Sequence, residues 1–556
     1  MALGGFTRRK LLKGGAAGAA VLMAPNGLLR AAPAKSQRLA KVSRFTVPLP
    51  VPATATPVSA NTYRITQRET QQTLHPKLGQ TTVWGYDDGT LGPLYPGPTI
   101  EVQKGTPTTV MFENQLPPTH LLPVDISIVP EGDATVRALT HLHGGFVSAD
   151  DDGNPYETEF DDEYRQGETQ MVTYPNEQPA ATLWYHDHAI AITRLNVYAG
   201  LAAYYLIRDD QDTGAEPNPI GIPGGDYEIP IVIQDRSFYR DGELLYADDW
   251  EPEFFGDTAV VNGAPFPLLE LEPRKYRFRF LNGSNSRFYN LAIAGGPPFH
   301  HIGSEGGMFD APVQTNRILI LPAERADVIV DFTGMEGRHL VLRNIKLPAG
   351  VVSPASPNLP IVMQFRVGTT VTDPGPATIP ASLPGSLPSF GSPARERYIT
   401  LEEVLDAAGE PIRSEIDGLR FDDPVSIQVP AGAVEDWLLI NVSADTHPIH
   451  LHLPQFQVVD RRPFDVASYQ AALDAARAVG DPNPSPAPYY TGGPLPPQTD
   501  DRGFKDTVSA NPGVVTRIRS PFDLPPGVTG TQKYTFHCHI LEHEDNDMMR
   551  PYEVLG

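Results

Sequence analysis

The chain has 556 residues, with 43 basic against 67 acidic side chains, a formal net charge of −24 and a single cysteine. So acidic a surface repels phosphate backbones and argues against any nucleic-acid partner, and one cysteine excludes an internal disulfide. The 58 prolines and 49 glycines punctuate short β-branched and aromatic runs, the texture of all-β sandwiches, and the length suits about three domains.

The first 34 residues read as a targeting segment rather than fold. Thr7-Arg8-Arg9-Lys10-Leu11-Leu12-Lys13 is a twin-arginine signature, an apolar stretch follows from Gly14 to Ala24, and Ala32-Pro33-Ala34 makes a small-residue end. The apolar stretch is shorter than the roughly 20 residues that cross a bilayer, although a retained anchor is the rival reading. Export of the folded protein by the twin-arginine machinery, to the periplasm or the medium, is therefore expected. Cleavage would remove Arg8, Arg9, Lys10, Lys13 and Arg30 and leave 38 basic against 67 acidic side chains.

Residues 45–208 are expected to form the first domain. Residues 108–114 read as a strand ending at an asparagine, and His141-Leu142-His143 and His186-Asp187-His188 each place two histidines two apart. Asp150-Asp151-Asp152-Gly153 lies between them. Residues 209–225, rich in Pro, Gly and Asp, read as a linker. Residues 226–368 form a second domain, where 276–282 repeats the strand that ends at an asparagine and no histidine cluster occurs. A longer linker, 369–396, precedes the third domain, 397–556, where 436–441 repeats the pattern once more. His447-Pro448-Ile449-His450-Leu451-His452 follows. Residues 468–479 are alanine-rich and predict a helix, and 481–497 are loaded with proline. Such an insertion is either a lid or a passive excursion.

The most telling string comes last: His537-Cys538-His539-Ile540-Leu541-Glu542-His543, with Met548 and Met549 beyond it. Side chains alternate faces along a strand, and residues two apart share a face about 6.6 Å apart. Cys538 then points one way and His537 and His539 the other. A thiolate and imidazoles both suit copper, so one short strand could join two metal sites, with the bonds through Cys538 as the wire. Zinc also takes His and Cys, but a zinc site closes with four ligands or with three and water. Ten clustered histidines, one cysteine and a methionine are too many for that. The other five, His75, His120, His300, His301 and His339, show no such spacing and read as ordinary surface or loop residues.

These four motifs, in type, order and spacing, resemble the multicopper oxidases of the laccase, bilirubin oxidase and bacterial spore-coat laccase type. The resemblance runs from about residue 45 to the C-terminus, and the run from His537 to Pro551 looks most like the spore-coat laccase branch. It implies three consecutive cupredoxin-like Greek-key β-sandwich domains, the middle one a spacer, with a trinuclear cluster shared between the first and third. It also implies four coppers per chain. His447, Cys538 and His543, with Met548 axial, would hold the type 1 copper, and His141 and His450 the type 2 copper. His143, His186 and His539 would hold one type 3 copper, and His188, His452 and His537 the other. Met549 competes with Met548 for the axial place, with core packing as its plainer reading.

Two acids match family positions as well. Glu544 resembles the glutamate that delivers protons during oxygen reduction, and Asp152 the aspartate that orients water at the type 2 copper, although an aspartate before glycine is also a common turn residue. The activity implied is a laccase-like oxidation of a small aromatic reductant, a phenol or an aromatic amine, through the edge of His543, coupled to reduction of dioxygen to two waters. Oxidation of cuprous or manganous ions is the alternative within the class. A non-enzymatic exported scaffold is the alternative outside it, and the complete ligand set argues against that. The default assembly is a monomer.

Overall fold

The computed structural model describes residues 41–129, 135–155, 164–354, 358–480 and 483–556. The twin-arginine segment expected over 1–34 lies outside the described residues. Strands dominate, in three units of two packed sheets. In the first unit one sheet runs in the order Thr81–Asp87, Thr62–Gln72, Thr108–Asn114, Thr169–Tyr174. Its mate runs Ile100–Gln103, Ala202–Arg208, Ala181–Asp187, Thr140–His143. The middle and third units repeat this order with added edge strands.

The repeated asparagine has a physical cause. In each unit the strand that ends on it pairs parallel with the unit's first long strand: Thr108–Asn114 with Thr62–Gln72, Lys275–Asn282 with Glu228–Phe238, and Val434–Asn441 with Arg395–Leu405. All three asparagines are buried. Each accepts the backbone N–H two residues on, from Leu116, Ser284 and Ser443, at 2.9, 3.0 and 2.9 Å. Each also donates its amide to a carbonyl of a neighbouring segment, that of Tyr164, Ile320 or Ala510. The chain thus leaves each strand through the same side-chain turn, and neither the oxygen nor the nitrogen of the buried amide is left without a partner.

Alternation builds the cores. Val110 and Phe112 of the first sheet meet Leu183 and Tyr205 of the second in one apolar cluster, and Trp437 and Leu439 meet Phe536 and Tyr552 in the third unit. Leu438 and Ile440, on the opposite face of that strand, would be exposed without a cover. The predicted helix supplies it. Val466–Arg477 starts on Asp465, whose carboxylate accepts the Ser468 N–H, and buries Tyr469 and Leu473 against Leu438, Ile440 and Val515. Arg477 ties its end to Glu402. The insertion is thus a cover for the outer sheet face, on the side away from Cys538, which lies in the inner cluster.

The expected first linker is anchored rather than loose. Asp212 is buried and accepts from Arg277 at 2.7 and 2.8 Å and from Arg279 at 2.9 Å, while Arg277 also pairs with Asp327 and Arg279 with Glu228. Removing one member of such a buried set leaves an uncompensated charge, at a cost of about 3–5 kcal/mol, and because Arg208 of the first unit also bonds Glu228 at 2.7 Å and Arg279 donates to Thr182 Oγ1 at 2.6 Å, the set holds the first and middle units together.

Candidate metal centres

Nine of the ten clustered histidines lie on four strands or on the residue just beyond their ends, with His543 on the short helix Leu541–Glu544, and the four strands occupy matching places in the first and third units. Thr140–His143 pairs antiparallel with Ala181–Asp187, setting His141 opposite His186, and His447–Leu451 pairs with Gln532–Cys538, setting His450 opposite His537. Opposed residues share a face, so each pair starts two His-x-His ladders on one side of its sheet. The two units turn those sides together: the rings of His141 and His452 stack at 4.0 Å between centroids, and those of His143 and His450 at 3.6 Å. In the middle unit the matching strands, Tyr289–Ala294 and His339–Asn344, carry only His339, exposed at a strand start.

The sets expected from the sequence are brought together. Candidate ligand atoms of His143, His186 and His539 lie within 4.8 Å of one another, as do those of His188, His452 and His537. His141 and His450 close the cluster beside His143. All eight are buried. Burial, reinforced by neighbouring imidazoles, pushes His141, His143, His450, His452 and His539 well below the usual histidine range, and His186 down to about 3. They are therefore neutral, the form that binds metal.

Their hydrogen bonds test whether they fit metal. His141 donates Nδ1–H to the Asp152 carbonyl at 2.6 Å, His186 to the Asp187 carbonyl at 2.9 Å, and His450 to the Asp506 carbonyl at 2.8 Å. In each ring the other nitrogen, Nε2, is buried without a hydrogen-bond partner. His143 is reversed: its Nε2 lies 3.2 Å from both Asp506 Oδ1 and Thr507 Oγ1, and Nδ1 is the orphan. Nε2 of His452 and of His537 face each other at 3.2 Å. In His141, His143, His186 and His450 an anchored nitrogen and an orphaned one is the pattern of metal-ligating imidazoles, and both nitrogens of His539 are orphaned, so the donor set fits copper.

Cys538 belongs to a second cluster on the other side of its strand. Its Sγ lies 3.6 Å from His447 Nδ1 and 3.8 Å from His543 Nδ1, and these two nitrogens are 3.3 Å apart. Burial pushes the thiol up, so the thiolate needs a cation beside it. Strand register separates the two methionines. Met549 pairs with His537, on the face of the larger cluster, whereas the carbonyl of Met548 accepts from Cys538 N and its buried side chain lies in the apolar cluster that contains Cys538.

Both acids lie against the larger cluster. Glu544 is buried, with its two oxygens 3.1 Å from His188 Nδ1 and His537 Nδ1. Burial alone would raise it, but those two imidazoles hold it well below the usual carboxylate range. Asp152 accepts from His452 Nδ1 at 2.7 Å. The turn reading of Asp152 holds too: Gly153 closes the short helix at φ 72°, where a Cβ would meet the Thr140 carbonyl at 2.1 Å.

Other groups have no spacing signal. Asp506 and Thr507 serve His143, and Ser443 Oγ lies 2.7 Å from His447 Nε2. The His543 edge, expected to face substrate, is covered: the residue is fully buried, and Glu253 of the middle unit sets Oε1 3.2 Å from its Nε2. The five remaining histidines are not all surface or loop residues. His75 and His301 are buried, His300 and His301 sit in the strand Phe299–Ser304, and His120 packs on Trp84 and bonds Asn196, burial pushing it down to about 4. His75, His120 and His301 serve their local cores, and none of the five joins a metal-like cluster among the described residues.

Profiles of the multicopper oxidase family match residues 68–212, 234–351 and 394–555. The chain is 39% identical to a laccase of Bacillus subtilis over 92% of this chain and 99% of that one, and 36% identical to a laccase of Haloferax volcanii over 92% and 85%. Its fold matches the crystal structure of the McoA multicopper oxidase from Aquifex aeolicus with a TM-score of 0.73 at 27% identity, over 93% of this chain and all of that one. With three cupredoxin-like units, two buried clusters joined through one cysteine and these relatives, the chain belongs to the multicopper oxidases, copper oxidoreductases that take dioxygen as electron acceptor.

Proposed function

We propose that this oxidase is laccase-like and couples four one-electron oxidations of a small phenol or aromatic amine to the reduction of dioxygen to two waters. The observation that carries the reading is the bonded link between the two clusters: Cys538 lies in one, and its neighbours His537 and His539 in the other. His447, Cys538 and His543, with Met548, would hold a type 1 copper, and His141 and His450 a type 2 copper. The triads His143, His186, His539 and His188, His452, His537 would hold the type 3 pair. Copper, when bound, supplies the one-electron steps and the affinity for dioxygen.

The chain's own groups do the rest. The short backbone path from Cys538 to its neighbours gives an electron a covalent route between the clusters. The Glu544 carboxylate faces Nδ1 of both His188 and His537 and can pass protons between them, and Asp152 fixes the orientation of His452 while its carbonyl fixes His141. Burial of every ligand keeps bulk water from the reacting groups. Oxygen uptake against phenols, aromatic amines, bilirubin, cuprous and manganous ions tests the reading. Turnover with the aromatic donors is expected, and uptake with none of them would sink it.

Oxidation of metal ions is favoured by one observation. Three carboxylates face the electron-entry side: Glu253 at His543, Glu403 Oε1 4.0 Å from His447 Nε2, and Asp445, pushed up to about 7 by burial and then by Glu253 and Glu403. Their charge selects positive donors over anionic ones. Glu253→Gln is expected to raise KM several-fold for manganous ion and for cationic amines and to leave an anionic donor unchanged. An equal change for all donors would remove the charge argument.

The residues Thr7 to Lys13 support an exported, periplasmic or extracellular protein. Replacing Arg8 and Arg9 by lysine should retain the enzyme in the cytoplasm on cell fractionation. Unchanged export would contradict the twin-arginine route.

A further inference from the structure

The middle unit holds no clustered histidine, yet it reaches the larger cluster. Asp506 is buried between His143 and His450: its Oδ1 accepts from His143 Nε2 at 3.2 Å, and its backbone carbonyl accepts from His450 Nδ1 at 2.8 Å. One residue therefore sets the tautomer and tilt of two stacked rings, one from each outer unit. Asp506 is itself gripped by Arg325, from the middle unit's strand Arg325–Asp331. Nη1 donates to Oδ1 at 2.9 Å and Nη2 to Oδ2 in a two-pronged pair. Nε of the same guanidinium donates to the Thr182 carbonyl at 3.0 Å, in the strand that carries His186.

The neighbourhood is built around this pair. A Cβ on Gly144, the residue after His143, would lie 2.6 Å from Asp506 Oδ2 and 2.8 Å from Arg325 Nη2, so only glycine leaves room for the fork. Lys505 is held by Glu305 at 2.8 Å and Glu324 at 2.9 Å, both from the middle unit, which fixes the backbone that presents Asp506. Planar, two-pronged contact is what arginine offers and lysine does not.

We propose that Arg325 and Asp506 are positioning residues through which the middle unit sets the geometry of His143, assigned above to one type 3 copper, and of the neighbouring His450, assigned to the type 2 copper. This rests on the copper assignment made above. Outer hydrogen bonds of this kind are worth about 10–100-fold in metal affinity or activity. The pair touches neither Cys538 nor its ligand partners, so its loss should be felt at one centre only.

The test uses the full chain loaded with copper, with Asp506→Asn and Arg325→Lys as variants. Copper per chain, the type 2 electron paramagnetic resonance signal, the blue absorbance and the thermal unfolding midpoint are measured. Both variants should keep the blue absorbance while the histidine cluster loses copper, with affinity there down about 10–100-fold, and the type 2 signal is lost or shifted through the ring of His450 stacked on His143. Arg277→Lys, at an equally buried ion-pair set that bonds Asp212 and Asp327 and no clustered histidine, should leave the type 2 signal as it is. A parent signal untouched in both variants would overturn this inference alone. So would matching losses of type 1 and type 2 signals in all three variants, or failure of both Asp506 and Arg325 variants to fold, since either assigns the pair to general stability. A parent chain with no type 2 signal would instead overturn the copper assignment, and this inference with it.

Discussion

Cys538→Ser is expected to erase the blue colour and to bring oxygen consumption with every aromatic donor down to background, while copper at the histidine cluster is retained. The chain has one thiol, and it lies within 3.8 Å of both His447 Nδ1 and His543 Nδ1. A serine hydroxyl is a hard, weakly acidic donor that cannot replace a soft thiolate on copper, so the first cluster loses the ligand that gives it colour and redox reach. His537 and His539 stay in place, because their rings are set by the strand pairing with His447–Leu451 and by their contacts with the cluster. Absorbance, copper analysis and oxygen uptake on the same sample decide it. Sustained turnover in the variant would mean that electrons reach the larger cluster without passing Cys538.

Glu544→Gln is expected to slow reoxidation of the substrate-reduced protein by dioxygen about 10²–10⁴-fold, the usual worth of a positioned proton donor or acceptor, while reduction of the blue centre by substrate keeps its rate. The substitution is isosteric and leaves an acceptor for one of the two imidazoles 3.1 Å away. It removes only the group that can carry a proton between them. Protons then come from solvent alone, so the deficit should widen as pH rises. Rapid mixing of the reduced variant with oxygen separates the two steps. An unchanged reoxidation rate would leave Glu544 with a purely structural part.

What could be read from the chain follows from where the information lies. His141, His143, His186, His188, His450, His452, His537 and His539 announce themselves because strand alternation converts a spacing of two into a shared face, and the two His-bearing strand pairs are copies of one arrangement. The three asparagines at strand ends were legible for the same reason, since one buried side-chain turn recurs in all units. The helix over 466–477 could be foreseen from its alanines. Its place on the outer sheet face could not, because that depends on Leu438 and Ile440 lacking another cover.

Contacts between units were beyond sequence reasoning. Asp506 serves His143 across 363 positions and Glu253 serves His543 across 290, and no local pattern marks either. For the same reason the middle unit read as a spacer although it supplies Glu253 beside one cluster and Arg325 behind the other. A lone histidine carries no sign of burial, so the sequence does not mark His301 as internal; its strand, packed beneath Phe309, takes it inside.

The most direct test of the central claim, that Cys538 joins an electron-accepting centre to an oxygen-reducing one, is the electron count per dioxygen in the copper-loaded protein. Donor oxidised, dioxygen consumed and hydrogen peroxide formed are measured together with a simple phenol. The predicted result is four donor electrons for each dioxygen, water as the product and no peroxide. Two electrons per dioxygen with matching peroxide would contradict the joined-cluster account.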